Sequence, residues 1–305
     1  MYERFYGIKE APFGLTPNTG YYFAYPDHQE ALNVLLVALR MGEGFIKITG
    51  EVGTGKTLVC RRLLNSLARN NIVTAYVPNP ALAPLELQHA IADELCIHPS
   101  PKHGYQSIQR LISERLIKYK AQGKRVVLLV DEAQTIPLES LEALRLLTNL
   151  ETEKSKLLQV VLFGQPELNR HLDQRSVRQI KQRITFSHHI HPMTREGAGA
   201  YLHHRLAVAG YRGDPLFSDR VIAKLYRASR GIPRLINILA HKALLAAYGQ
   251  GSERVTAKHM LSAIGDTEDV TQPFDWRKWF WFGCAGLGLS TAAGASAYLF
   301  LGGGL

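Results

Sequence analysis

The residues with the clearest chemistry are eight consecutive positions that run from Gly50 to Thr57. They match the pattern G-x-x-x-x-G-K-[ST], whose glycines let backbone N–H groups converge on the phosphate oxygens of a nucleotide. Lys56 is expected to reach the β- and γ-phosphates, and the Thr57 hydroxyl to bind Mg²⁺. The predicted nucleotide-binding residues of this loop are Gly50, Glu51, Val52, Gly53, Thr54, Gly55, Lys56, Thr57 and Leu58.

The segments on either side of this loop have the form that phosphate binding requires. Residues 44–49 are apolar and β-branched, which predicts a buried strand. Residues 58–67 carry leucines at helical spacing, which predicts a helix whose positive N-terminal end faces the phosphates. Strand, glycine-rich loop and helix therefore follow one another in the order that the chemistry needs.

Two acidic residues, Asp131 and Glu132, follow the apolar run at 126–130 and begin 75 residues after Lys56. Asp131 is expected to hold Mg²⁺, directly or through water. Glu132 is expected to act as the general base that polarises the attacking water. The loop and the acidic pair together predict hydrolysis of the nucleotide.

The order of predicted elements indicates a doubly wound α/β domain with a parallel sheet over residues 1–193, because strands alternate with helices. From residue 194 to residue 264 the pattern is helical, which predicts a small all-helical lid domain. The predicted strands are 44–49, 71–77, 125–130, 157–163 and 184–190. The predicted helices are 58–67, 85–95, 107–120, 138–150, 195–209, 219–229, 233–248 and 257–264.

The last part of the chain differs in composition. Residues 265–278 form a polar linker, and residues 279–301 contain no charged residue. As a helix, those 23 residues would span about 35 Å, enough to cross a membrane. Arg277 and Lys278 precede the segment and nothing charged follows it, so the positive-inside rule predicts one transmembrane helix with residues 1–278 in the cytoplasm and the C-terminus outside.

The charge of the chain is uneven. Its formal net charge is +10, and residues 170–234 hold thirteen Arg or Lys against four Asp or Glu. Such a stretch could bind nucleic acid, face nucleotide phosphates or form a solvated helical surface near an anionic membrane. The last interpretation is favoured, because aromatic residues are not interleaved with the basic ones.

Several aromatic and imidazole side chains invite a ligand interpretation. Tyr21, Tyr22 and Phe23 could line an adenine pocket, although core packing explains them equally well. His188 and His189 are adjacent on a predicted strand and would point to opposite faces, so a polar sheet edge is expected there in preference to a metal site.

The motifs, taken in order, resemble the AAA+ ATPases, and within that group the ExeA/GspA type of secretion ATPase. The resemblance covers roughly residues 1–265 and the predicted span that follows. It is carried by the opening segments 5–7 and 12–17, by the loop at 50–57, by Val-Asp-Glu-Ala-Gln at 130–134, by Gly-Gln-Pro-Glu-Leu at 164–168 and by Gly-Ile-Pro-Arg-Leu-Ile-Asn at 231–237.

This resemblance implies roles for four further residues. Gln165 matches sensor 1, which helps to orient the attacking water, and Arg234 matches sensor 2, a lid arginine that contacts the γ-phosphate. AAA+ proteins form homo-oligomeric rings in which an arginine reaches the nucleotide of the neighbouring subunit. Arg183 is the best-placed residue for that role and Arg178 is the second choice.

The resemblance also implies a function. It predicts an ATPase with ATP and Mg²⁺ at the bacterial inner membrane, which works with other assembly proteins of a type IV pilus (of the mannose-sensitive haemagglutinin kind) or of a type II secretion apparatus. Two alternatives stay open. One is a DNA-associated AAA+ ATPase such as a transposition regulator, against which the apolar segment argues. The other is a ring scaffold that binds ATP without significant turnover.

Overall fold

A computed structural model describes residues 2–68, 71–100, 102–152 and 155–271. Its central element is a five-stranded sheet in the order β2-β3-β6-β1-β7, in which every neighbouring pair is parallel. A separate two-stranded antiparallel hairpin consists of β4 and β5. The strands are β1 Phe45–Gly50, β2 Ile72–Val77, β3 Arg125–Val130, β4 Glu151–Thr152, β5 Ser155–Lys156, β6 Gln159–Gly164 and β7 Ile184–Ile190.

The helices lie between and after these strands. Two sets of helices cover the two faces of the sheet, with α2 and α3 contributing to one apolar cluster and α4, α5 and α6 to the other. The helices are α1 Tyr2–Tyr6, α2 Pro26–Met41, α3 Lys56–Leu67, α4 Pro84–Glu94, α5 Tyr105–Ala121, α6 Leu138–Thr148, α7 Glu167–Leu172, α8 Arg178–Arg183, α9 Arg195–Val208, α10 Asp219–Ser229, α11 Pro233–Gly249 and α12 Ala257–Gly265.

The central strands explain why the sheet is parallel. Every residue of β6 is buried, and so are five of the six residues of β3. Strands covered by helices on both faces are typical of parallel sheets. In such a sheet the carboxyl ends of the strands meet at one edge. The ends of β1, β3 and β6 therefore deliver Gly50, Asp131 and Gln165 to the same side of the molecule.

The predicted α/β class with a parallel sheet is confirmed. Two strands and one helix have the predicted bounds: β3 at Arg125–Val130, β7 at Ile184–Ile190 and α10 at Asp219–Ser229. Helix α2 was not predicted, and neither were the short helices α1, α7 and α8.

A third apolar cluster joins helices α9–α12 to the start of the chain. Tyr2, Phe13 and Tyr21 are buried in it together with side chains of these helices. Arg205 of α9 ties the same segment by donating from Nε to the Pro12 carbonyl at 2.6 Å. The first twenty or so residues thus pack with the helical part of the chain, whereas the prediction assigned them to the α/β domain. The division at residues 193 and 194 stays a prediction.

The localisation prediction requires a correction. Within the described ranges, no helix has both the length and the apolar character needed to cross a membrane. This finding contradicts the prediction of a single-pass protein of the bacterial inner membrane. The segment 279–301, on which that prediction depended, and residues 272–278 of the linker lie outside the described residues.

Candidate functional site

The glycine-rich loop connects β1 to α3 and adopts a backbone that only glycine takes readily. Gly53 has φ 81° and Gly55 has φ 101°, both in the left-handed region. The Lys56 ammonium donates to the carbonyl oxygens of Gly50 at 2.7 Å and Glu51 at 2.9 Å. The loop therefore curls around the lysine side chain.

Lys56 lies in an electrostatically mixed environment. Its side chain is buried, and this desolvation lowers the pKa of its ammonium group. The nearby Glu132 and Asp131 carboxylates act in the opposite direction and favour the charged form. An ammonium held within a glycine-rich loop is suited to bind the oxygens of a polyphosphate.

Asp131 stands at the end of β3 and is 3% exposed. Burial raises the pKa of its carboxyl group, whereas hydrogen bonds from the Thr57 hydroxyl and the Glu132 backbone lower it. The Glu132 N–H donates to Oδ1 of Asp131 at 3.0 Å. A carboxylate beside a hydroxyl offers the hard oxygen ligands that Mg²⁺ prefers, so Thr57 and Asp131 fit the predicted metal.

Glu132 is the catalytic carboxylate of the prediction, and two amides hold it. Its backbone has φ 49°, which is unusual for a residue other than glycine. Its Oε2 accepts from Gln134 Nε2 at 2.6 Å and from Gln165 Nε2 at 3.2 Å. The Gln165 N–H in turn donates to Gln134 Oε1 at 2.9 Å. The three side chains form one hydrogen-bonded unit.

Gln134 is a contributor that sequence reasoning missed. It belongs to the Val-Asp-Glu-Ala-Gln segment, but its position two residues after Glu132 gives no sign that the side chain returns to the carboxylate. The return depends on the left-handed turn at Glu132 and the short 3₁₀ turn that follows it.

The helical part of the chain contacts the glycine-rich loop directly through the start of α11. The Arg234 N–H donates to the Gly53 carbonyl at 3.2 Å. A Cβ on Gly53 would lie only 2.6 Å from the Cβ of Arg234. A side chain at position 53 would therefore collide with α11. The structure thus places Arg234 beside the loop, and its role as sensor 2 stays a prediction.

A cavity of about 250 Å³ lies at this junction. Its walls come from the glycine-rich loop, from the Glu132 and Gln165 pair, from α9 and α11, and from the N-terminal segment. Sequence reasoning did not single out Tyr201 or Asn237, whose side chains are joined by a hydrogen bond of 3.0 Å. The walls include Leu15, Asn18, Val52, Gly53, Lys56, Thr57, Leu58, Glu132, Gln165, Tyr201, Arg205, Arg234 and Asn237.

Arg178 and Arg183 lie elsewhere, at the two ends of α8, and neither lines this cavity. Arg178 is exposed, and the half-buried Arg183 approaches Thr148 Oγ1 with one guanidinium nitrogen at 3.5 Å. The structure of one chain does not bring either arginine to the glycine-rich loop.

The aromatic trio and the adjacent histidines His188 and His189 lie outside the lining of this cavity. Tyr21, Tyr22 and Phe23 do not line the cavity; Tyr201, on α9, does. His188 Nε2 lies 3.2 Å from Asp27 Oδ1, and in the described part of the chain no group of three metal-ligating side chains is arranged to hold an ion.

Comparison with known proteins agrees with this fold. A family model described as an AAA domain matches residues 39–172. The chain is 41% identical over 302 residues to the general secretion pathway protein A of Aeromonas hydrophila. The alignment covers 99% of this chain and 55% of that protein. This chain thus spans about half the length of that relative.

Three solved structures share the fold at lower identity. The ORC2 protein of Aeropyrum pernix has a TM-score of 0.60 at 17% identity, covering 85% of this chain and 73% of that chain. Cdc6p from Pyrobaculum aerophilum has a TM-score of 0.61 at 19% identity, and the match covers 80% of this chain and 69% of that chain. The RuvB Holliday junction branch migration motor of Thermotoga maritima has a TM-score of 0.52 at 16% identity, and the match covers 83% of this chain and 73% of that chain.

At these identities the solved structures show the fold alone. The AAA-domain match and the identity over nearly the whole chain carry the family assignment. The chain belongs to the AAA+ ATPase family and, within it, to the ExeA/GspA type.

Proposed function

We propose that this chain is an ATPase which binds Mg·ATP between its α/β part and its helical lid, and which couples hydrolysis to the assembly of a bacterial envelope machine. The observation that carries the proposal is the convergence of four elements on one cavity. The glycine-rich loop, the end of β3, the end of β6 and the start of α11 all contribute polar side chains there.

The binding role rests on the loop and the metal pair. Residues 50–58 would surround the phosphates with backbone N–H groups, and Lys56 would neutralise their charge. Thr57 and Asp131 would hold Mg²⁺, which supplies charge neutralisation at the phosphates when bound. The positive φ of Gly53 and Gly55 supports this role, because such a backbone forms the concave surface that an anion requires.

The hydrolytic role rests on Glu132. Its carboxylate would accept a proton from the attacking water, and Gln165 would help to orient that water. Lys56 and Arg234 would stabilise the negative charge that develops on the transferred phosphoryl group. We further propose that the chains form a ring in which Arg183, or else Arg178, of one subunit serves the nucleotide of the next.

The cellular role rests on the relative in Aeromonas hydrophila, which is named for the general secretion pathway. By analogy, the partners of this chain are assembly proteins of a type II secretion apparatus or of a related type IV pilus. Changes in lid and subunit arrangement between the ATP and ADP states would drive remodelling of those partners.

One experiment tests both halves of the proposal. The purified full-length chain is assayed for Mg·ATP binding and phosphate release, and the Glu132→Gln protein is then used with ATP to capture partners from cells. Turnover together with recovery of secretion or pilus proteins supports the proposal. Nucleotide binding without turnover would instead identify a ring scaffold.

A DNA-associated function is the second candidate, and one observation favours it. Nine arginines of the basic stretch are exposed: Arg170, Arg175, Arg178, Arg195, Arg212, Arg220, Arg227, Arg230 and Arg234. Duplex DNA binding by the full chain would fall steeply with salt concentration if these arginines contact phosphates. Absence of such binding at low salt would exclude this candidate.

A further inference from the structure

One buried histidine makes a contact with the glycine-rich loop that none of the roles above uses. His28, in the first turn of α2, is 4% exposed. Its Nε2 lies 2.7 Å from the backbone oxygen of Thr54. A carbonyl oxygen can only accept a hydrogen bond, so Nε2 must carry the proton and donate. This assigns the tautomer of the ring.

The direction of this hydrogen bond fixes a neighbouring donor. In a trans peptide the C=O and the following N–H point in opposite directions, and the described residues contain no cis peptide. Because the Thr54 carbonyl points at His28, the Gly55 N–H points away from it. Within the described residues the Gly55 N–H has no hydrogen-bond acceptor. An unsatisfied N–H at the start of a helix is the type of donor that binds phosphate oxygens.

The ring also limits what can stand at position 55. A Cβ on Gly55 would lie 3.2 Å from His28 Nε2 and 3.3 Å from its Cε1. The left-handed φ of 101° at Gly55 adds a second reason for glycine. The imidazole therefore lies directly against the Thr54–Gly55 peptide.

The first turn of α2 is itself held at three points, which keeps the ring in place. Asp27 accepts from the His191 N–H at 2.6 Å and faces His188 at 3.2 Å, so it joins α2 to the end of β7. The Tyr25 hydroxyl accepts from the Thr194 N–H at 3.1 Å, just before α9. The donor of His28 is thus positioned by the sheet edge and by the start of the helical lid.

We propose that His28 is a positioning residue for nucleotide binding: by donating to the Thr54 carbonyl it orients the Thr54–Gly55 peptide so that the Gly55 N–H faces the phosphates. The proposal rests on the nucleotide-binding role proposed above. It concerns a residue that lies outside the 50–57 motif and does not line the cavity.

Burial favours a neutral donor at position 28. Desolvation lowers the pKa of the His28 ring, against weaker opposing effects of the hydrogen bond to Thr54 and of the Asp27 charge. A neutral ring with its proton on Nε2 donates without placing a charge beneath the loop.

Two substitutions separate positioning from packing. In His28→Gln the side-chain amide can still donate to the Thr54 carbonyl, whereas His28→Leu fills similar space without a donor. His259→Leu is a matched control, because His259 is 3% exposed and bonds Gln250 in the lid, away from the loop. Equilibrium binding of Mg·ATP and of ADP is measured for each protein, and unfolding without nucleotide is followed in parallel.

The expected result is a loss of about 5- to 50-fold in affinity for both nucleotides in His28→Leu, as for a lost buried hydrogen bond. His28→Gln should stay within about threefold of wild type, and His259→Leu should bind as wild type does even where it unfolds more easily. The inference is overturned if wild type binds nucleotide and His28→Leu binds it equally well, or if His28→Gln is as weak as His28→Leu. Failure of wild type itself to bind would overturn the proposed function along with this inference.

Discussion

Gln134 holds the carboxylate of Glu132 with a hydrogen bond of 2.6 Å from its amide nitrogen. The amide oxygen of the same side chain accepts from the Gln165 backbone at 2.9 Å. One glutamine therefore links the proposed general base at the end of β3 to the proposed water-orienting residue at the end of β6. It fixes the carboxylate where the attacking water would be polarised.

Replacement of Gln134 by alanine should slow turnover more than it weakens binding. Without the amide, the Glu132 carboxylate loses its shortest hydrogen bond, and kcat for ATP hydrolysis should fall by about 10- to 100-fold with little change in KM. Gln106→Ala is a matched control on the exposed face of α5 and should keep wild-type kinetics. Steady-state phosphate release measures both constants. A rise in KM at unchanged kcat would assign Gln134 to binding instead.

Replacement of Arg234 by alanine should impair the ATP state more than the ADP state. Its side chain borders the cavity beside the glycine-rich loop, where a guanidinium is expected to contact the γ-phosphate. We expect ATPase activity to fall about tenfold or more, while ADP affinity changes far less. Arg227→Ala, on the exposed face of α10, serves as the control. Equal weakening of ATP and ADP binding would argue against a sensor of the γ-phosphate.

Mixing two inactive proteins tests the contribution of the neighbouring subunit. Arg183→Ala should bind ATP but lose at least about 100-fold in turnover, as should Glu132→Gln. In a mixed ring, an Arg183→Ala subunit keeps its own Glu132 and receives Arg183 from a Glu132→Gln neighbour. Partial recovery of phosphate release on mixing would identify a trans arginine.

The same mixing experiment with Arg178→Ala decides between the two candidates on α8. Arg175→Ala, another exposed arginine nearby, should stay active alone. No recovery with either candidate, from proteins that still assemble, would mean that neither residue serves the adjacent nucleotide.

Asp131→Asn should stabilise the protein that lacks nucleotide and metal. Burial raises the pKa of Asp131 above its usual value of 3.8, so the native state binds this proton more tightly than the unfolded state does. The stability that this tighter proton binding adds to the native state is present at low pH and is lost as the pH rises through the raised pKa. At pH 7 Asp131→Asn should therefore have the higher Tm, and the difference should close as the pH falls toward 3.8.

Mg·ATP should reverse the order of the Tm values of wild type and Asp131→Asn. Mg·ATP should raise the Tm of wild type and leave Asp131→Asn nearly unchanged, because the metal ligand is gone. Asp93→Asn removes the same charge from an exposed position and should behave as wild type does in both conditions. A lower Tm for Asp131→Asn at pH 7, together with full stabilisation by Mg·ATP, would contradict both the burial argument and the metal role.

From the sequence alone, the elements that could be predicted are those whose own residues carry a clear signal. Strand β3 is a run of buried apolar residues followed by two acids, and its bounds came out as predicted. Helix α2 was missed although Pro26 at its first turn and Gly42 at its end, with φ 84°, are ordinary boundary signals.

The contacts that complete the site could not be read from spacing. His28 meets the Thr54 carbonyl 26 residues away, and only the packing of α2 on the sheet brings them together. Gln134 returns to Glu132 through a left-handed turn that few non-glycine residues adopt. The role proposed for Arg183 and Arg178 requires a subunit boundary, which a single chain does not contain.

The central claim is that Glu132 makes this nucleotide site hydrolytic. The most direct test compares wild type with Glu132→Gln for Mg·ATP affinity and for phosphate release in a single preparation. We expect similar affinities, because the amide keeps the shape of the side chain, and a fall of about 100-fold or more in turnover, because the amide cannot accept the proton. Turnover by Glu132→Gln at the wild-type rate would contradict the account.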